Sequence, residues 1–475
     1  MTSDGLVQLG AGTGRLEVAE VRRRLVGKRG RDFWRSLDEL AATPEFADLM
    51  HREFPRQASE WLEDDGLSRR RFLQLSGASL ALAGLTACTK QPLETIVPYV
   101  RQPEEVVPGR PLFFATALTL AGVARGVLAE SHLGRPTKIE GNPQHPASLG
   151  ATDAFAQAAV LTLYDPERSQ AIARAGRIAT WSALVQELGA RARAQQALGG
   201  EGLRFLTGAV TSPSLAALFA EVGRVFPAAR WHRWEPAAPH HARAAAARAF
   251  GSPLEAVYDF TRARVVLTLD ADPLCEGPGA VRYARDFASR RRPRGGQPEM
   301  NRLYAVESSP TSTGTLADHR LAVPPAEVEA FALALAARLG VAGAAGVPVP
   351  APRDPRLARW VAAVADDLRA NAGASLVVAG EYARPAVHVL AHAMNQALGN
   401  AGATVTFTPP VEAAPVDHLA SLAELVRDLR AGRVETLLVL DSNPVYTAPA
   451  ELGFAAALDR VPLRVHSGLY FDETG

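Results

Sequence analysis

Short runs of apolar and β-branched residues alternate with longer alanine-rich amphipathic segments from about Pro111 onward, and this alternation constrains the fold more than any other feature of the chain. Strands and helices that alternate in this way form parallel sheets with helices packed on their faces. The sequence therefore predicts an α/β protein with parallel sheets flanked by helices. Strands are predicted at residues 203–206, 265–269, 302–306, 375–379, 404–407, 436–440 and 463–466, and helices at 325–339, 355–370 and 385–398.

Each predicted strand ends in a turn of small and polar residues. The carboxyl ends of parallel strands are where open α/β sheets bind ligands, so these turns are candidates for holding a nucleotide-like cofactor. Small residues also close tight strand-to-helix turns without any ligand, and the sequence favours neither interpretation. Asp270 and Asp441 in these turns can accept hydrogen bonds from a pterin or nucleotide ring, or cap the helices that follow. The turns are residues 207–208, 270–273, 307–309, 380–381 and 441–444.

A twin-arginine export signal is predicted in the segment that ends at Cys88. Arg69 and Arg70 stand next to Phe72 and Leu73, as such signals require. The uncharged run that follows is shorter than the ~20 residues that span a bilayer as a helix. Small residues then precede Cys88, as in a lipobox, which makes this cysteine the predicted lipidation site. The alternative interpretation is a short buried helix with an incidental thiol.

The signal lies unusually far inside the chain, because a polar segment, residues 1–67, precedes it. Amphipathic stretches at residues 33–40 and 44–50 favour a genuine helical leader over a misassigned start. The twin-arginine route exports folded proteins, often with a cofactor or a cofactor-bearing partner, which favours a redox function. We expect the mature protein at the periplasmic face of the cytoplasmic membrane, anchored by a lipid on Cys88.

Charge and cysteine content exclude two kinds of site. The formal net charge is +1 over 475 residues, so the chain as a whole has no electrostatic footprint for nucleic acid. Cys88 and Cys275 are the only cysteines, and two thiolates cannot hold a four-iron cluster. Cys275 is predicted to be an ordinary part-buried thiol, with a single metal–thiolate bond as the less favoured alternative.

Several domains are predicted after the signal, because a chain with 47% hydrophobic residues can bury a large core. Residues 89–170 are expected to form a region of short strands, residues 171–340 a first α/β domain and residues 354–475 a second. A stretch rich in Pro and Gly, residues 340–353, reads as a linker or surface loop. No helix follows the strand at 463–466, so we expect the second domain to be incomplete and the chain to be the front part of a longer polypeptide or one product of a split gene.

The most specific motif of the chain is GNPQHP, which follows the segment GRPTKIE. It resembles the start of the mature molybdopterin oxidoreductases, in which a short strand hairpin leads into GNPxHP. The resemblance implies the fold of that family. The motif residues in this chain are Gly141, Asn142, Pro143, His145 and Pro146.

One branch of that family is especially similar, namely the large iron–sulfur and molybdopterin-like subunit of alternative complex III, a bacterial membrane quinol oxidoreductase. The likeness rests on residues 317–320, 394–400 and 441–446, and on an export signal placed far inside the chain after an FWRSL-like helix. It covers nearly the whole sequence.

Departures from the wider family affect the expected chemistry. Residues 112–133, just upstream of GRPTKIE and the motif, contain no cysteine, whereas catalytic members hold a four-iron cluster there. No residue here can be placed on the position that ligates the catalytic metal in those enzymes. The resemblance therefore implies a scaffold with no catalytic residue, metal ligand or cofactor of its own, and it disfavours bound molybdopterin.

The resemblance also implies partners. These are a ferredoxin-like module with iron–sulfur clusters, normally the C-terminal half of the same polypeptide, integral membrane quinol-binding subunits and haem c subunits. Electrons would pass through the clusters and haems, while the α/β domains fix the distances between them. Two alternatives stay open: an active molybdenum or tungsten bis-pterin oxidoreductase, and an exported lipoprotein that binds a soluble ligand at the carboxyl edge of its sheet.

Histidines give weaker signals of chemistry. His232, His240 and His241 are close in sequence, but no carboxylate or thiolate accompanies them at a convincing spacing, so they are interpreted as solvent-facing or helix-start residues. His388 and His392 lie four residues apart on a predicted helix, yet the residues between them lack the glutamate of the zinc-protease motif.

Overall fold

Two four-stranded parallel sheets, each flanked by helices, form the larger part of the fold in a computed structural model that describes residues 105–292, 299–348 and 356–475. The predicted α/β fold with parallel sheets and flanking helices is confirmed. Arg69, Arg70, Phe72, Leu73 and Cys88 lie outside the described residues, as do the leader and the rest of the signal. The predictions made for them stay predictions.

The elements are numbered in chain order. The strands are β1 (Leu112–Leu120), β2 (Val123–His132), β3 (Arg135–Gly141), β4 (Ile172–Arg174), β5 (Arg177–Ala179), β6 (Leu203–Thr207), β7 (Arg230–Arg233), β8 (Glu255–Tyr258), β9 (Val265–Leu269), β10 (Arg302–Glu307), β11 (His319–Ala322), β12 (Ser375–Ala379), β13 (Val405–Thr408), β14 (Thr436–Leu440) and β15 (Leu463–Ser467). The helices are α1 (Ala154–Ala158), α2 (Trp181–Gln196), α3 (Pro213–Val225), α4 (His240–Phe250), α5 (Ala280–Ser289), α6 (Ser312–Thr315), α7 (Pro325–Leu339), α8 (Arg356–Ala370), α9 (Pro385–Ala397), α10 (His418–Arg430), α11 (Pro444–Thr447) and α12 (Phe454–Leu458). Short 3-10 helices lie at Ala159–Leu163 and Ala450–Leu452.

An antiparallel sheet of order β1-β2-β3 precedes the parallel sheets. Its β2–β3 hairpin turns at Leu133 and Gly134, both of which have positive φ, 51° and 80°. Glycine adopts this conformation without steric cost, and paired positive-φ residues match the twist of two-residue hairpins. This is the predicted hairpin, and β3 ends at Gly141, the first residue of GNPQHP.

One parallel sheet is nested inside the other in chain order. We call β15-β14-β6-β7 the outer sheet and β11-β10-β9-β12 the nested sheet, because every strand of the latter lies between β7 and β14 in the sequence. All neighbouring strands in both sheets are parallel. This division differs from the predicted ranges 171–340 and 354–475, which place the paired strands β6 and β14 in different domains.

The strands predicted at the centres of these sheets are confirmed, but the segment predicted at 404–407 has a different environment. It forms β13, which pairs antiparallel with β8 outside both parallel sheets. Val405 is buried and Thr406 is exposed. This alternation is typical of antiparallel strands with one solvated face, whereas every residue of β9 is buried and all of them except Thr268 are apolar.

Helices cover both sheets with apolar side chains. Helix α7 begins at Pro325 and ends before Gly340, which has a φ of 81° and stops the helix in the left-handed conformation. On the nested sheet, α7, α8 and α9 bury Phe331, Leu368 and Met394 completely. The outer sheet packs on α10 and α12 through a separate cluster of buried side chains, which includes Leu206, Leu422, Leu425, Leu437 and Phe454. Within the described ranges, no helix is both long enough and apolar enough to cross a membrane.

Candidate functional site

The GNPQHP motif forms a closed turn after β3. The Asn142 side-chain oxygen accepts a hydrogen bond from the Gln144 backbone N–H at 2.9 Å. The Asn142 carbonyl oxygen accepts two more, from the backbone N–H groups of His145 at 3.0 Å and Gly150 at 3.1 Å. Such an Asx turn holds the loop shape without help from a ligand.

Close backbone contacts explain two other motif positions. A Cβ atom at Gly141 would overlap the carbonyl group of Gly150, so the turn needs glycine at this point. The His145 ring packs against the backbone of Gly126 in β2, where a Cβ would overlap the ring. Its Nδ1 atom is buried and has no hydrogen-bond partner among the described residues.

Two arginines of α5 attach this loop to the nested sheet's helices. Arg282 donates from Nη1 to the Pro146 carbonyl oxygen at 2.7 Å, and Arg285 donates from Nη1 to the Leu149 carbonyl oxygen. Asp286 accepts from the Nε of Arg282 at 2.8 Å and so fixes that side chain. The loop that begins with GNPQHP therefore joins the antiparallel sheet to α5.

Four of the predicted turns at the ends of strands meet in two pairs, one in each parallel sheet. Each pair lies at a switch point, the place where successive connections run to opposite sides of a strand. In the nested sheet the chain leaves β9 toward β10 and β11, while β12 lies on the opposite side of β9. In the outer sheet β15 lies beyond β14, and β7 lies beyond β6. Ligands of open α/β sheets bind in the crevice where the strand order reverses in this way. Turns 270–273 and 380–381 meet at the nested switch point, and turns 207–208 and 441–444 meet at the outer one.

The strands around the two switch points are equivalent in register. Val265 of β9 lies opposite Arg302 and Ser375 in the strands on either side of it. Thr436 of β14 likewise lies opposite Leu463 and Leu203. Strands β12, β9 and β10 of the nested sheet thus correspond to β6, β14 and β15 of the outer sheet.

The turns after the central strands share an unusual backbone conformation. Asp270 follows β9 with a φ of 51°, and Asp441 follows β14 with a φ of 49°. The backbone N–H of Asp270 donates to the Val306 carbonyl oxygen in β10, and that of Asp441 donates to the Ser467 carbonyl oxygen in β15. Both hydrogen bonds are 2.7 Å long. Asp is among the few residues other than glycine that adopt positive φ readily.

Two residues further on, a side-chain oxygen holds a threonine in each sheet. Asp272 accepts from the backbone N–H of Thr313 at 2.9 Å and from its hydroxyl at 2.5 Å. Asn443 accepts from the same groups of Thr474 at 3.2 and 2.7 Å. The hydroxyl of Thr313 in turn accepts a hydrogen bond from the Leu274 backbone N–H at 3.2 Å. The hydroxyl of Thr474 accepts one from the Val445 backbone N–H at 3.1 Å.

Sequence reasoning identified both turns but missed that they are two copies of one structure. The signal was present in the sequence as Asp-X-Asp-Pro after β9 and Asp-X-Asn-Pro after β14. A Thr-Gly pair follows each copy, at Thr313 and Thr474. Asp270 does not cap a following helix, since its carboxylate accepts from the backbone N–H and hydroxyl of Ser308 at 2.8 and 2.9 Å.

The nested switch point is closed by the protein's own hydrogen bonds. The carboxylates of Asp270 and Asp272 are taken by Ser308 and Thr313, and Glu307 accepts from the hydroxyl of Thr311 at 2.7 Å. A Cβ at Gly380 would overlap the Asp270 carbonyl oxygen, so the turn after β12 presses directly on the turn after β9. The carboxylates of Asp270, Asp272 and Glu307 are therefore engaged within the protein and are not free to bind a pterin or nucleotide ring.

The outer switch point keeps free acceptor groups. A Cβ at Gly208 would lie 3.1 Å from the Oε2 of Glu235 and 3.9 Å from the Asp441 carbonyl oxygen. Burial raises the pKa of the Glu235 carboxyl, and the nearby carboxylates of Asp441 and Glu412 raise it further. The Asp441 side chain is exposed. This edge can therefore offer the carboxyl groups of Glu235 and Asp441 to a ligand.

A buried polar network supports Glu235. The Nδ1 of His418 accepts the Glu235 backbone N–H at 3.0 Å, so its proton lies on Nε2, which donates to Glu412 at 2.7 Å. Burial alone would raise the pKa of Glu412, but His418 and Arg243 outweigh it and hold that pKa below its ordinary value. Arg243 also binds Glu255 at 3.2 Å, which ties α4 to β8.

The predicted histidine and cysteine candidates do not assemble into a site. His232 was predicted to face solvent but is 2% exposed, because β7 places its ring under α10, where Nδ1 lies 3.0 Å from the Ser421 carbonyl oxygen. His240 and His241 begin α4, as predicted. Cys275 is exposed rather than part-buried, since the turn after β9 carries it to the surface.

In the predicted pair on α9, His388 is buried and His392 is partly buried. Burial, together with the neighbouring His392 and His241, lowers the pKa of His388 to about 4. The Nε2 atoms of His388 and His392 are buried without a hydrogen-bond partner among the residues described. Among all residues that the structure describes, no group of three or more His, Cys, Asp or Glu side chains could hold a metal ion.

Comparison with known proteins places the chain near one curated relative. No protein-family model matches the sequence. The chain is 26% identical over 460 residues to a protein of Nitratidesulfovibrio vulgaris (strain Hildenborough) described as menaquinone reductase, molybdopterin-binding-like subunit. The match covers 86% of this chain, which spans 64% of the length of that relative. The similarity supports a molybdopterin-oxidoreductase-like family for the chain and leaves the predicted alternative complex III branch a prediction.

A solved structure gives a weaker match. It is the formyltransferase/hydrolase complex (FhcABCD) from Methylorubrum extorquens in complex with methylofuran, with 17% sequence identity and a TM-score of 0.38. The alignment covers 62% of this chain and 85% of that chain. A likeness at this level carries no argument about fold or function.

Proposed function

We propose that the chain is a molybdopterin-oxidoreductase-like scaffold subunit of a membrane-associated quinone or quinol oxidoreductase complex. The observation that carries the proposal is the similarity over 86% of the chain to a molybdopterin-binding-like subunit of a menaquinone reductase. In this role the subunit holds redox partners at fixed distances and performs no redox step of its own.

Two features of the sheets support a scaffold. At the nested switch point, Asp270 and Asp272 use their carboxylates to join neighbouring turns. The GNPQHP turn binds α5 through the Pro146 and Leu149 carbonyl oxygens. Both regions thus use their polar groups for internal rigidity, which is the property that a subunit positioning other redox centres requires.

The finer assignment follows the sequence resemblance. The proposed complex is alternative complex III, with a ferredoxin-like iron–sulfur module, integral membrane quinol-binding subunits and haem c subunits as partners. The chain reaches the periplasmic face through Arg69 and Arg70 of its twin-arginine signal, and a lipid on Cys88 anchors it. The iron–sulfur clusters belong to the ferredoxin-like module, and bound molybdopterin is disfavoured for this part.

Metal content of the native complex tests the scaffold role. The complex is purified from membranes with all partners that stay bound, and molybdenum, tungsten and iron are measured per chain by mass spectrometry. Iron from partner modules without molybdenum or tungsten is expected. One molybdenum or tungsten per chain would show that this subunit holds a catalytic cofactor, and the scaffold proposal would then be wrong.

Substitution at the outer switch point gives an independent test, because that edge keeps free acceptors. Gly208→Val fills the space beside Glu235. Its matched control is Gly223→Val on α3, where an added Cβ meets no atom within 4 Å. For a scaffold, the quinol-oxidation rate of both assembled complexes stays within about twofold of wild type. A selective loss of rate in Gly208→Val would instead indicate a ligand that works at this edge.

A further inference from the structure

The first turns of helices α4 and α9 meet at the turn that follows β12. His241, in the first turn of α4, has its Nδ1 atom 3.0 Å from the Ala383 carbonyl oxygen. His388 lies in the first turn of α9, and its ring interacts with the backbone of Gly380 and Ala383. Imidazole rings from both helices thus hold one short turn. We call this meeting of α4, α9 and residues 380–383 the histidine contact.

Two ring nitrogens in the histidine contact are buried without a partner. His388 is 5% exposed, and its Nε2 atom has no hydrogen-bond partner among the described residues. The same holds for the Nε2 of His392, one turn further along α9. The His392 ring lies between those of Phe250 and Phe407, at centroid distances of 5.3 and 5.4 Å. Neither nitrogen therefore has an acceptor for an added proton.

Two other histidines face His388 and oppose its protonation. A charge on His392 or on His241 would repel a proton on His388, and burial disfavours that proton more strongly still, so the pKa of His388 is lowered to about 4. His241 and His388 also lie in the first turns of their helices, where the helix dipole disfavours a cation. Arg243 of α4 is paired with Glu412.

The carboxylates on the surrounding elements have other neighbours. Glu329 of α7 lies 3.7 Å from Arg384 at the exposed start of α9. Glu381 of the turn lies toward Gly277, where an added Cβ would be 3.2 Å from its Oε1. Strand β12 has no ionisable side chain. Among the described residues, no acid therefore compensates a charge on His388.

The turn held by the histidines also closes the nested switch point. Gly380 donates its N–H to the Leu269 carbonyl oxygen at 3.0 Å, and a Cβ at Gly380 would overlap the Asp270 carbonyl oxygen. Ala383 donates its N–H to the Gly380 carbonyl oxygen, also at 3.0 Å. A movement of this turn would therefore separate it from the turn after β9.

We propose that the histidine contact is an acid-sensitive device, which holds the nested switch point closed while His388 and His392 are neutral and opens when they are protonated. In the closed form, a proton on either Nε2 would be buried without an acceptor, which is energetically costly. Helices α4 and α9 separate to let the charged ring reach water. Residues 380–383 then move away from Asp270, and the edge of the nested sheet becomes accessible.

Amide hydrogen exchange of the full chain at two pH values tests the proposal, with rates corrected for the intrinsic effect of pH. A histidine that titrates near 6.5 in the open form and at about 4 in the closed form makes opening about twentyfold more favourable at pH 5 than at pH 7. Protection of residues 244–250, 380–383 and 389–397 should fall by this factor, and that of β14 much less. An equal loss in β14 would show that acid unfolds the whole chain, and the proposal would be wrong.

Matched variants assign the effect to the buried ring. His388→Asn keeps a donor for the carbonyl groups of the turn and cannot be protonated, so most of the pH dependence should disappear. His319→Asn changes an exposed histidine of the same sheet and should keep the full dependence. In the wild-type chain, NMR of labelled histidines measures the titration without any variant. A His388 that titrates near 6.5, or an unchanged pH dependence in His388→Asn, would contradict the proposal.

Discussion

The outer and nested sheets share the same arrangement of three central strands, but the loops at the carboxyl ends of these strands differ in how accessible they are. In both, an aspartate with positive φ follows the central strand, and two residues later in the same turn Asp272 or Asn443 binds a threonine. The nested sheet closes this edge with Ser308 and Gly380, whereas the outer sheet leaves Glu235 and Asp441 beside Gly208. The same strand arrangement thus carries a closed edge in one sheet and an accessible edge in the other. Equivalent positions in the two sheets can therefore be compared directly.

The largest expected effect comes from a position that is charged in one sheet and apolar in the other. Arg204 of β6 is buried and binds Asp428 at 2.8 Å, while its equivalent in β12 is Leu376. Asp428→Ala leaves the guanidinium buried without this carboxylate, and we expect a loss of about 3–5 kcal/mol in the free energy of unfolding. Urea denaturation followed by circular dichroism measures this loss.

The double variant Arg204→Leu with Asp428→Leu is the control, because it converts the outer sheet to the chemistry of the nested one. A buried ion pair replaced by apolar residues of similar volume is often neutral for stability. A double variant as unstable as Asp428→Ala would show that the two sheets are not interchangeable at this position.

Equivalent glycines give the next largest difference. A Cβ at Gly380 would overlap the Asp270 carbonyl oxygen, whereas a Cβ at Gly208 would lie 3.1 Å from the movable Glu235 carboxyl and at ordinary contact distance, 3.9 Å, from the Asp441 carbonyl oxygen. We expect Gly380→Ala to destabilise the protein by about 2–3 kcal/mol, and Gly208→Ala by less than about 1 kcal/mol. Thermal unfolding of the two variants side by side provides the measurement. Equal losses would mean that both switch points are closed.

The side chains that bind the threonines, Asp272 and Asn443, should differ less in their contributions to stability. Asp272 is 9% exposed and satisfies two backbone N–H groups and a hydroxyl of residues 312–313, whereas Asn443 is only partly buried. Asp272→Ala should cost about 2 kcal/mol and Asn443→Ala about 1 kcal/mol, because unpaired donors are more costly when they are buried. Chemical denaturation tests the order, and a greater loss for Asn443→Ala would contradict it.

The smallest expected effect is a difference in acid stability. Burial alone would raise the pKa of Asp428, but hydrogen bonds from Arg433 and Arg204 hold it below its ordinary value. A depressed folded-state pKa stabilises the protein above the ordinary aspartate range, and this contribution is lost as the pH falls through the folded-state pKa. The acid-unfolding midpoint of the double leucine variant should therefore move to lower pH.

Asp459→Asn provides the comparison for acid unfolding, since that carboxylate is on the surface and 79% exposed. It should leave the midpoint where it is in wild type. If the double leucine variant also unfolds at the wild-type pH, the Arg204–Asp428 pair contributes nothing to acid stability.

Sequence pattern predicted the elements of the fold better than their connections. The apolar runs at β9, β12 and β14 predicted strands at the right residues, because fully buried parallel strands have few alternatives. The pairing of β6 with β14 depends on contacts between residues more than 200 positions apart, such as Arg204 with Asp428, and no local pattern encodes it. The predicted domain ranges followed chain order for that reason.

Site prediction had a similar limit. The turns after the strands were recognised as ligand edges, but their polar residues gave no indication of which edge would be closed. Ser308 and Gly380 close the nested edge through contacts that only the assembled sheet creates. His232 was interpreted as a solvent-facing or helix-start residue because no carboxylate or thiolate accompanies it in sequence, yet it lies in β7 and α10 covers it.

The nesting of one sheet within the other sets the order in which a newly made chain can fold. Strands β6 and β7 leave the ribosome long before β14 exists to pair with them, while β9 to β12 are synthesised together. Loop closure across such a distance is entropically unfavourable until the intervening segment is compact. Pulse-labelled exchange during refolding should therefore show protection of β9 before β6. In the interval, β6 exposes an unpaired edge, and a polypeptide stalled at that stage is the form most prone to aggregation.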